Sequence, residues 1–118
     1  MPTKEQEQVL WCSATERPFT SPLLKEKRSG VFHCAGCDAP LYPSTAKFES
    51  GTGWPSFFEA FEGAVTNKVD RSHGMERVEA VCAKCGGHLG HVFDDGPKPT
   101  GLRYCMNGLA LEFKPNEG

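Results

Sequence analysis

The segments CAGCDAPLY (Cys34 to Tyr42) and CAKCGGHLG (Cys82 to Gly90) share the pattern C-A-x-C-x-x-x-L. No other feature constrains folding as tightly. Two C-x-x-C units present four soft thiolates, a set that suits tetrahedral Zn²⁺ and leaves no coordination position open. Such a site is structural, because it closes the long loop between the units and adds its binding free energy to folding. Each copy follows a strand-like run and places Asp38 or Gly86 directly after its second cysteine. Glycine enters the left-handed backbone region freely and aspartate tolerates it, so each copy is expected to be a tight knuckle between two strands, with backbone N–H groups turned toward the sulfurs. A thioredoxin-like use of C-x-x-C needs the motif at a helix N-terminus in a βαβ unit. Pro40 after the first pair and Gly86-Gly87 after the second speak against that setting. Disulfides within each pair are disfavoured by the strain of so short a loop and by the compartment argued next. Cys34, Cys37, Cys82 and Cys85 are therefore the expected ligands of one structural zinc ion.

At 118 residues the chain is expected to form one domain, 1–118, with a core too modest to dispense with a staple. A formal charge of −2 and a pI near 6.1 give no basic field for nucleic acid or anionic lipid. No apolar run approaches the roughly 20 residues of a membrane span, and the N-terminal MPTKEQEQVLWCSATERP lacks the apolar stretch of a secretory signal. The expected location is the cytoplasm, where paired cysteines point to metal or redox chemistry rather than a disulfide framework. Thr3 and Gln6 form a capping-box signature for a short helix from Lys4 to about Trp11. Ser21 as N-cap, Pro22 at the first helical position and Gly30 as stop predict another turn or two of helix. From Val31 onward short runs rich in Val, Phe and Tyr alternate with Gly, Pro and Asp clusters. The expected fold is mostly antiparallel β with a small helical preface.

One cysteine stands apart in GLRYCMNGLALEF. Residues two apart on a strand share a face, so Arg103, Cys105 and Asn107 line one side and Leu102, Tyr104 and Met106 the other. Beyond Gly108 the apolar parity flips to Leu109, Leu111 and Phe113, which predicts a bulge at Gly108. Arg103 is placed to favour a Cys105 thiolate and Asn107 to donate to an oxygen; a buried, inert thiol is the competing expectation. GHLGHVFDDGP supplies His88 and His91 for acid–base work, with Gly90 expected to bend the strand so that both rings share a side. Structural histidines are the alternative. Asp94 and Asp95 predict a turn, and one of them is a candidate for orienting a histidine. His33 and His73 receive no role. SGTGWPSFFEAF predicts a shaped loop that presents Trp54 either to the core or to a pocket for a small apolar group.

GTGWPSF, the two knuckles, GGHLGHVFDDGP and TGLRYCMN, in this order, resemble the methionine-R-sulfoxide reductases of type B, and TERPFT (Thr15 to Thr20) resembles their N-terminal signature. The likeness spans about residues 15–113. It implies two antiparallel sheets with peripheral helices and a structural zinc on the knuckle cysteines. It implies Cys105 as the nucleophile that attacks the sulfoxide sulfur and is left as sulfenic acid. His88, His91, Asn107 and Arg103 would position the substrate oxygen and supply its proton, and Trp54 would pack on the ε-methyl group. Oxidised proteins or peptides carrying methionine R-sulfoxide would be the substrates and thioredoxin the reductant. Many members carry a resolving cysteine two residues before the tryptophan, where this chain has Thr52. Cys12, the one cysteine left, is then the candidate resolving thiol, with direct reduction of Cys105 as the alternative. Two further readings compete: a zinc-ribbon-like binding module without catalysis, and a thiol enzyme acting on another electrophile.

Overall fold

The computed structural model describes residues 3–12, 17–71, 74, 76–98 and 100–115, the Lys25 side chain excepted. Thr15 and Glu16 of the TERPFT signature and His73 lie outside the described residues. Among the described residues helix α1 covers Lys4–Cys12, and nine strands follow: β1 Gly30–Cys34, β2 Pro40–Pro43, β3 Lys47–Phe48, β4 Ser56–Phe57, β5 Val65–Asp70, β6 Arg77–Cys82, β7 His88–Phe93, β8 Arg103–Met106 and β9 Leu111–Pro115. They form a three-stranded sheet in the order β2-β1-β9 and a six-stranded sheet in the order β3-β4-β8-β7-β6-β5. Every pairing is antiparallel. The expected fold class is borne out: mostly β, two antiparallel sheets, a short helical preface and a four-cysteine cluster.

The capping box forms as its residues require. Thr3 N–H donates to Gln6 Oε1 at 2.7 Å and Gln6 N–H donates to Thr3 Oγ1 at 3.2 Å. The second helix is shorter than expected, a 3-10 turn over Pro22–Lys25 in which Ser21 Oγ accepts from Leu23 N–H. Gly30 does not end it; the glycine opens β1 instead, because the Glu26 carboxylate takes both the backbone N–H and the guanidinium of Arg28 and draws the chain out of the helix. The bulge expected at Gly108 is also corrected. A 3-10 turn over Gly108–Ala110 carries the chain from β8 in the large sheet to β9 in the small one. The apolar parity changes because the sheet changes.

Aromatic rings join the sheets. Tyr42 of β2 stacks on Phe57 of β4 at a centroid distance of 4.4 Å, and Phe32 of β1 meets the same ring edge-on at 4.9 Å. Tyr42 O–H donates to the sulfur of Met106 on β8 at 3.1 Å, and all four residues are fully buried. Helix α1 closes one end of this core. Val9 and Leu10 are buried, and the two methyl arms of Leu10 straddle Gly36 of the first knuckle and Gly87 of the second. Leu10→Ala is therefore expected to lower the unfolding free energy by about 2–5 kcal/mol in denaturant titration; a loss below about 0.5 kcal/mol, the range of ordinary surface substitutions, would contradict this docking.

Candidate active site and metal cluster

The two knuckles are built alike. In the first, Asp38 N–H donates to Cys34 O and Cys34 N–H to Ala39 O, both at 2.8 Å. In the second, Gly86 N–H donates to Cys82 O at 2.8 Å and Cys82 N–H to Gly87 O at 2.9 Å. The turns close through left-handed residues, Asp38 at φ 66° and Gly86 at φ 77°, as the sequence pattern predicted. The first knuckle joins β1 to β2 in the small sheet and the second joins β6 to β7 in the large one. Sulfurs from the two meet in pairs, Cys34 with Cys85 at 3.7 Å and Cys37 with Cys82 at 3.5 Å, and all four lie within 4.8 Å of one another. A tetrahedral ion bound at about 2.3 Å to each sulfur needs sulfur separations of about 3.8 Å, so this cluster can hold one metal ion. Burial pushes the Cys34 thiol well up, an opposition to ionisation that a bound cation removes. His33 has a place after all: its Nδ1 lies 2.8 Å from Asp38 O and braces the first knuckle.

Cys105 lies on the opposite side of its strand from the core. Met106 and Tyr104 face inward, while Cys105 stands directly across from His91 on β7 and Ser56 on β4. Glu79 on β6 pairs with His91 in turn. One cross-strand row therefore runs Ser56–Cys105–His91–Glu79, and paired residues of antiparallel strands share a face. His88 is three residues from His91, a spacing that would place it on the other face of a regular strand. The β6–β7 register shifts there, from Ala80 opposite Gly90 to Val81 opposite His88. Leu89 is the extra residue, and it turns into the core. The bulge returns His88 to the side of His91, with ring centroids 5.5 Å apart and planes at 67°. Gly90 is required at this crossing, because a Cβ there would fall 2.1 Å from Cys105 O.

A pocket of about 300 Å³ opens over this row, walled by Trp54, His91, Phe93, Arg103, Cys105 and Asn107 together with Thr52, Gly90 and Arg77. The segment Pro18-Phe19 docks behind the tryptophan loop, with Phe19 N–H donating to Gly53 O at 2.6 Å. Thr52 Oγ1 stands 3.9 Å from Cys105 Sγ and 2.8 Å from Ser50 Oγ, which contacts Ser56 Oγ at 2.7 Å. Burial raises the Cys105 thiol above the ordinary range, while the Thr52 hydroxyl and the Arg103 guanidinium pull it the other way without overcoming burial. Arg103 favours the thiolate, as expected, but does not decide its ionisation.

Sequence reasoning placed Cys105, His91, Arg103, Asn107 and Trp54 at one site, and all five line this pocket. His88 lies behind His91 and is buried. Cys12 ends α1, exposed, and α1 contributes no residue to the pocket lining. The expectation that Asp94 or Asp95 orients a histidine is corrected. Asp95 instead holds Arg103 through both oxygens, at 2.8 and 3.2 Å, with the guanidinium 4.3 Å from the Phe93 centroid. The histidines take their carboxylates from other strands: His88 Nδ1 lies 2.7 Å from Glu79 Oε2 and His91 Nε2 lies 3.0 Å from Asp70 Oδ2. Asp70, Arg77 and Glu79 were missed. Their signal is the alternation of polar Lys68, Asp70, Arg77 and Glu79 with Val69, Val78 and Ala80, which marks a second polar sheet face.

Fold and site together define a class, a β-domain built round a thiol cluster that presents one separate half-buried thiol, carboxylate-held imidazoles and an indole to a small pocket. A family profile described as SelR domain matches residues 3–115. The chain is 56% identical over 115 residues to a protein of Pseudomonas putida, covering 97% of this chain and 86% of that one. It is 55% identical over 114 residues to one of Agrobacterium fabrum, at 96% and 84% coverage, and 53% identical over 113 residues to one of Leptospira interrogans, at 95% and 86%. All three carry the name peptide methionine sulfoxide reductase MsrB. The chain belongs to the SelR-domain family, in agreement with the resemblance carried by its motifs.

A thiol raised by burial reacts as thiolate only as the solution becomes alkaline. Alkylation of Cys105 by iodoacetamide, read by peptide mass spectrometry, should keep accelerating beyond the ordinary thiol range of about pH 8.5. A plateau reached below neutrality would contradict the assigned direction.

Proposed function

We propose that this chain reduces peptide-bound methionine R-sulfoxide to methionine, with Cys105 as the nucleophile. The observation that carries this reading is the placement of Cys105 opposite His91 on paired strands, inside a pocket that also holds Trp54. The Trp54 indole offers an apolar wall for the ε-methyl group. Arg103, immobilised by Asp95, and Asn107 offer positive charge and a donor for the sulfoxide oxygen. Cys105 attacks the sulfoxide sulfur as thiolate. His91 is the imidazole that lines the pocket, and it supplies the proton the oxygen needs as its bond to the methionine sulfur breaks. The bond formed between Cys105 and the methionine sulfur then breaks as the protonated oxygen passes to Cys105, so the thiol and the sulfoxide become sulfenic acid and methionine. His88, behind it, holds the second imidazole position.

The knuckle cysteines Cys34, Cys37, Cys82 and Cys85 would hold structural Zn²⁺, whose preference for four thiolates in a tetrahedron suits the sulfur spacings given above. Zinc would add folding free energy and takes no part in the reaction. Turnover needs the sulfenic acid reduced. Thr52 excludes a resolving thiol two residues before Trp54, which leaves Cys12. Condensation of Cys12 thiol with the Cys105 sulfenic acid forms a disulfide and releases water, and the two thiols of thioredoxin then reduce that disulfide. Because α1 is docked on the knuckles, its end must leave that position for Cys12 to reach the pocket. Paired cysteines that serve a metal rather than a disulfide framework suit a cytoplasmic location. Among the described residues no helix is long and apolar enough to cross a membrane.

Turnover of chirally resolved peptidyl sulfoxides with thioredoxin tests both parts. The R epimer should be reduced and the S epimer left, with Cys105→Ser inactive yet folded; equal rates on both epimers, or none on either, would overturn the assignment. Cys12→Ser should stop thioredoxin-supported cycling while sparing the first turnover. Unchanged cycling in that variant would transfer reduction to direct attack on Cys105.

A further inference from the structure

His91 faces two ways, and only one of them is the pocket. Its Nε2 lies 3.0 Å from Asp70 Oδ2 on β5, two strands away from β7. The pair is shielded, with about 15% of the imidazole and 21% of the carboxylate exposed. Asp70 pairs across the ladder with Arg77 of β6, whose terminal nitrogen lies 3.6 Å from the same Oδ2. Among the described residues Arg77 Nε is buried without a hydrogen-bond partner, and the guanidinium meets Asp70 as a charge at 3.6 Å. A carboxylate only accepts and a guanidinium only donates. The imidazole nitrogen that meets Asp70 must therefore carry its hydrogen, and Nδ1 is the ring nitrogen left to exchange a proton with anything in the pocket. His88 is held the opposite way round, by Glu79 at Nδ1. Two neighbouring rings at 5.5 Å are thus fixed in opposite tautomers by carboxylates from two different strands.

We propose that Asp70, braced by Arg77, is a positioning residue that holds His91 as its Nε2–H tautomer, with Nδ1 serving the Cys105 pocket. Asp70 is not among the residues that line the pocket; it acts through His91. The inference rests on the proposed role of His91 in proton supply, but its spectroscopic consequence does not need the reaction. Neutral imidazole has two tautomers, and the wrong one would aim a hydrogen-bearing nitrogen where a lone pair is needed to take the Cys105 thiol proton, the same proton that Nδ1 then hands to the sulfoxide oxygen. A loss of this kind is seen when the orienting aspartate of a serine protease triad is replaced by its amide. Here the amide is expected to behave differently. Both partners of Oδ2 are donors, so Asp70→Asn is expected to turn its carbonyl oxygen to the same place and keep the tautomer.

The experiment is a long-range ¹H–¹⁵N correlation spectrum of ¹⁵N-histidine protein with the ring neutral, paired with single-turnover kinetics on a peptidyl methionine R-sulfoxide. In the wild type His91 should carry its hydrogen on Nε2. Asp70→Ala should populate the Nδ1–H form and slow methionine formation at least about tenfold, with KM changed by less than about twofold. Asp70→Asn should restore the Nε2–H spectrum and most of the rate. An Nδ1–H ring at His91 in the wild type would overturn the proposal, as would a slow Asp70→Ala variant whose tautomer is unchanged, since that result describes packing alone. A wild-type rate in Asp70→Ala would overturn it equally. If Asp70→Ala does not fold, the wild-type and Asp70→Asn spectra decide. Failure of the wild type to reduce the sulfoxide at all would instead strike the proposed function and leave the tautomer assignment standing.

Discussion

Four sulfur atoms, two from each sheet, are the constraint on which the rest of this molecule depends. The cysteines that meet are 45 to 51 residues apart along the chain, and their cluster links the two sheets in addition to the core packed between them. A chain this short buries a limited core, so a cross-link of this kind substitutes for the hydrophobic area it lacks. The four thiols meet at separations suited to a shared cation, while burial pushes the Cys34 and Cys85 thiols up in its absence. Helix α1 belongs to the same arrangement, because Leu10 lies across both knuckles at once and shields them. Sheet geometry at the Cys105 pocket is tied to this anchor: β6 and β7, which carry Glu79, His88 and His91, are the strands that the second knuckle joins.

From that anchor the chemistry is placed by strand parity. Along β8 the residues alternate between the aromatic core and the pocket, so Met106 can accept a hydrogen bond from Tyr42 while its neighbour Cys105 faces His91. Along β7 strict alternation would separate the two histidines, and one inserted residue, Leu89, brings them together while filling the core with its own side chain. The absent Cβ of Gly90 lets β8 approach closely enough for the row to form. Burial makes the thiol harder to ionise, and the groups that work against burial, Thr52 and Arg103, both stand at the pocket rim. The proposed catalytic sulfur thus sits where substrate binding can change its surroundings rather than in an environment that keeps it permanently ionised.

The sequence disclosed the local features and concealed the non-local ones. The knuckles, their left-handed turn residues, the capping box at Thr3 and the polar face of Arg103, Cys105 and Asn107 depend on neighbours within a few positions, and periodicity or composition reveals them. The two-residue strands β3 and β4 are too short for any periodicity. Gly108 looked like a bulge because a change of parity has the same appearance within one strand as between two sheets. Aspartates close in sequence drew attention from Asp70, which reaches His91 only through the register of β5 on β6 and of β6 on β7. That register is set by pairing across three strands, and no local pattern in the chain records it.

The central claim, that this scaffold aims Cys105 at a sulfoxide and leaves the oxygen on that sulfur, is tested most directly by trapping. Protein with its four-cysteine cluster intact, given one equivalent of a peptidyl methionine R-sulfoxide and dimedone, should yield the reduced methionine peptide and a single dimedone adduct on Cys105, located by mass spectrometry. Methionine formed with no adduct on Cys105, or with the adduct on a knuckle cysteine, would contradict the account.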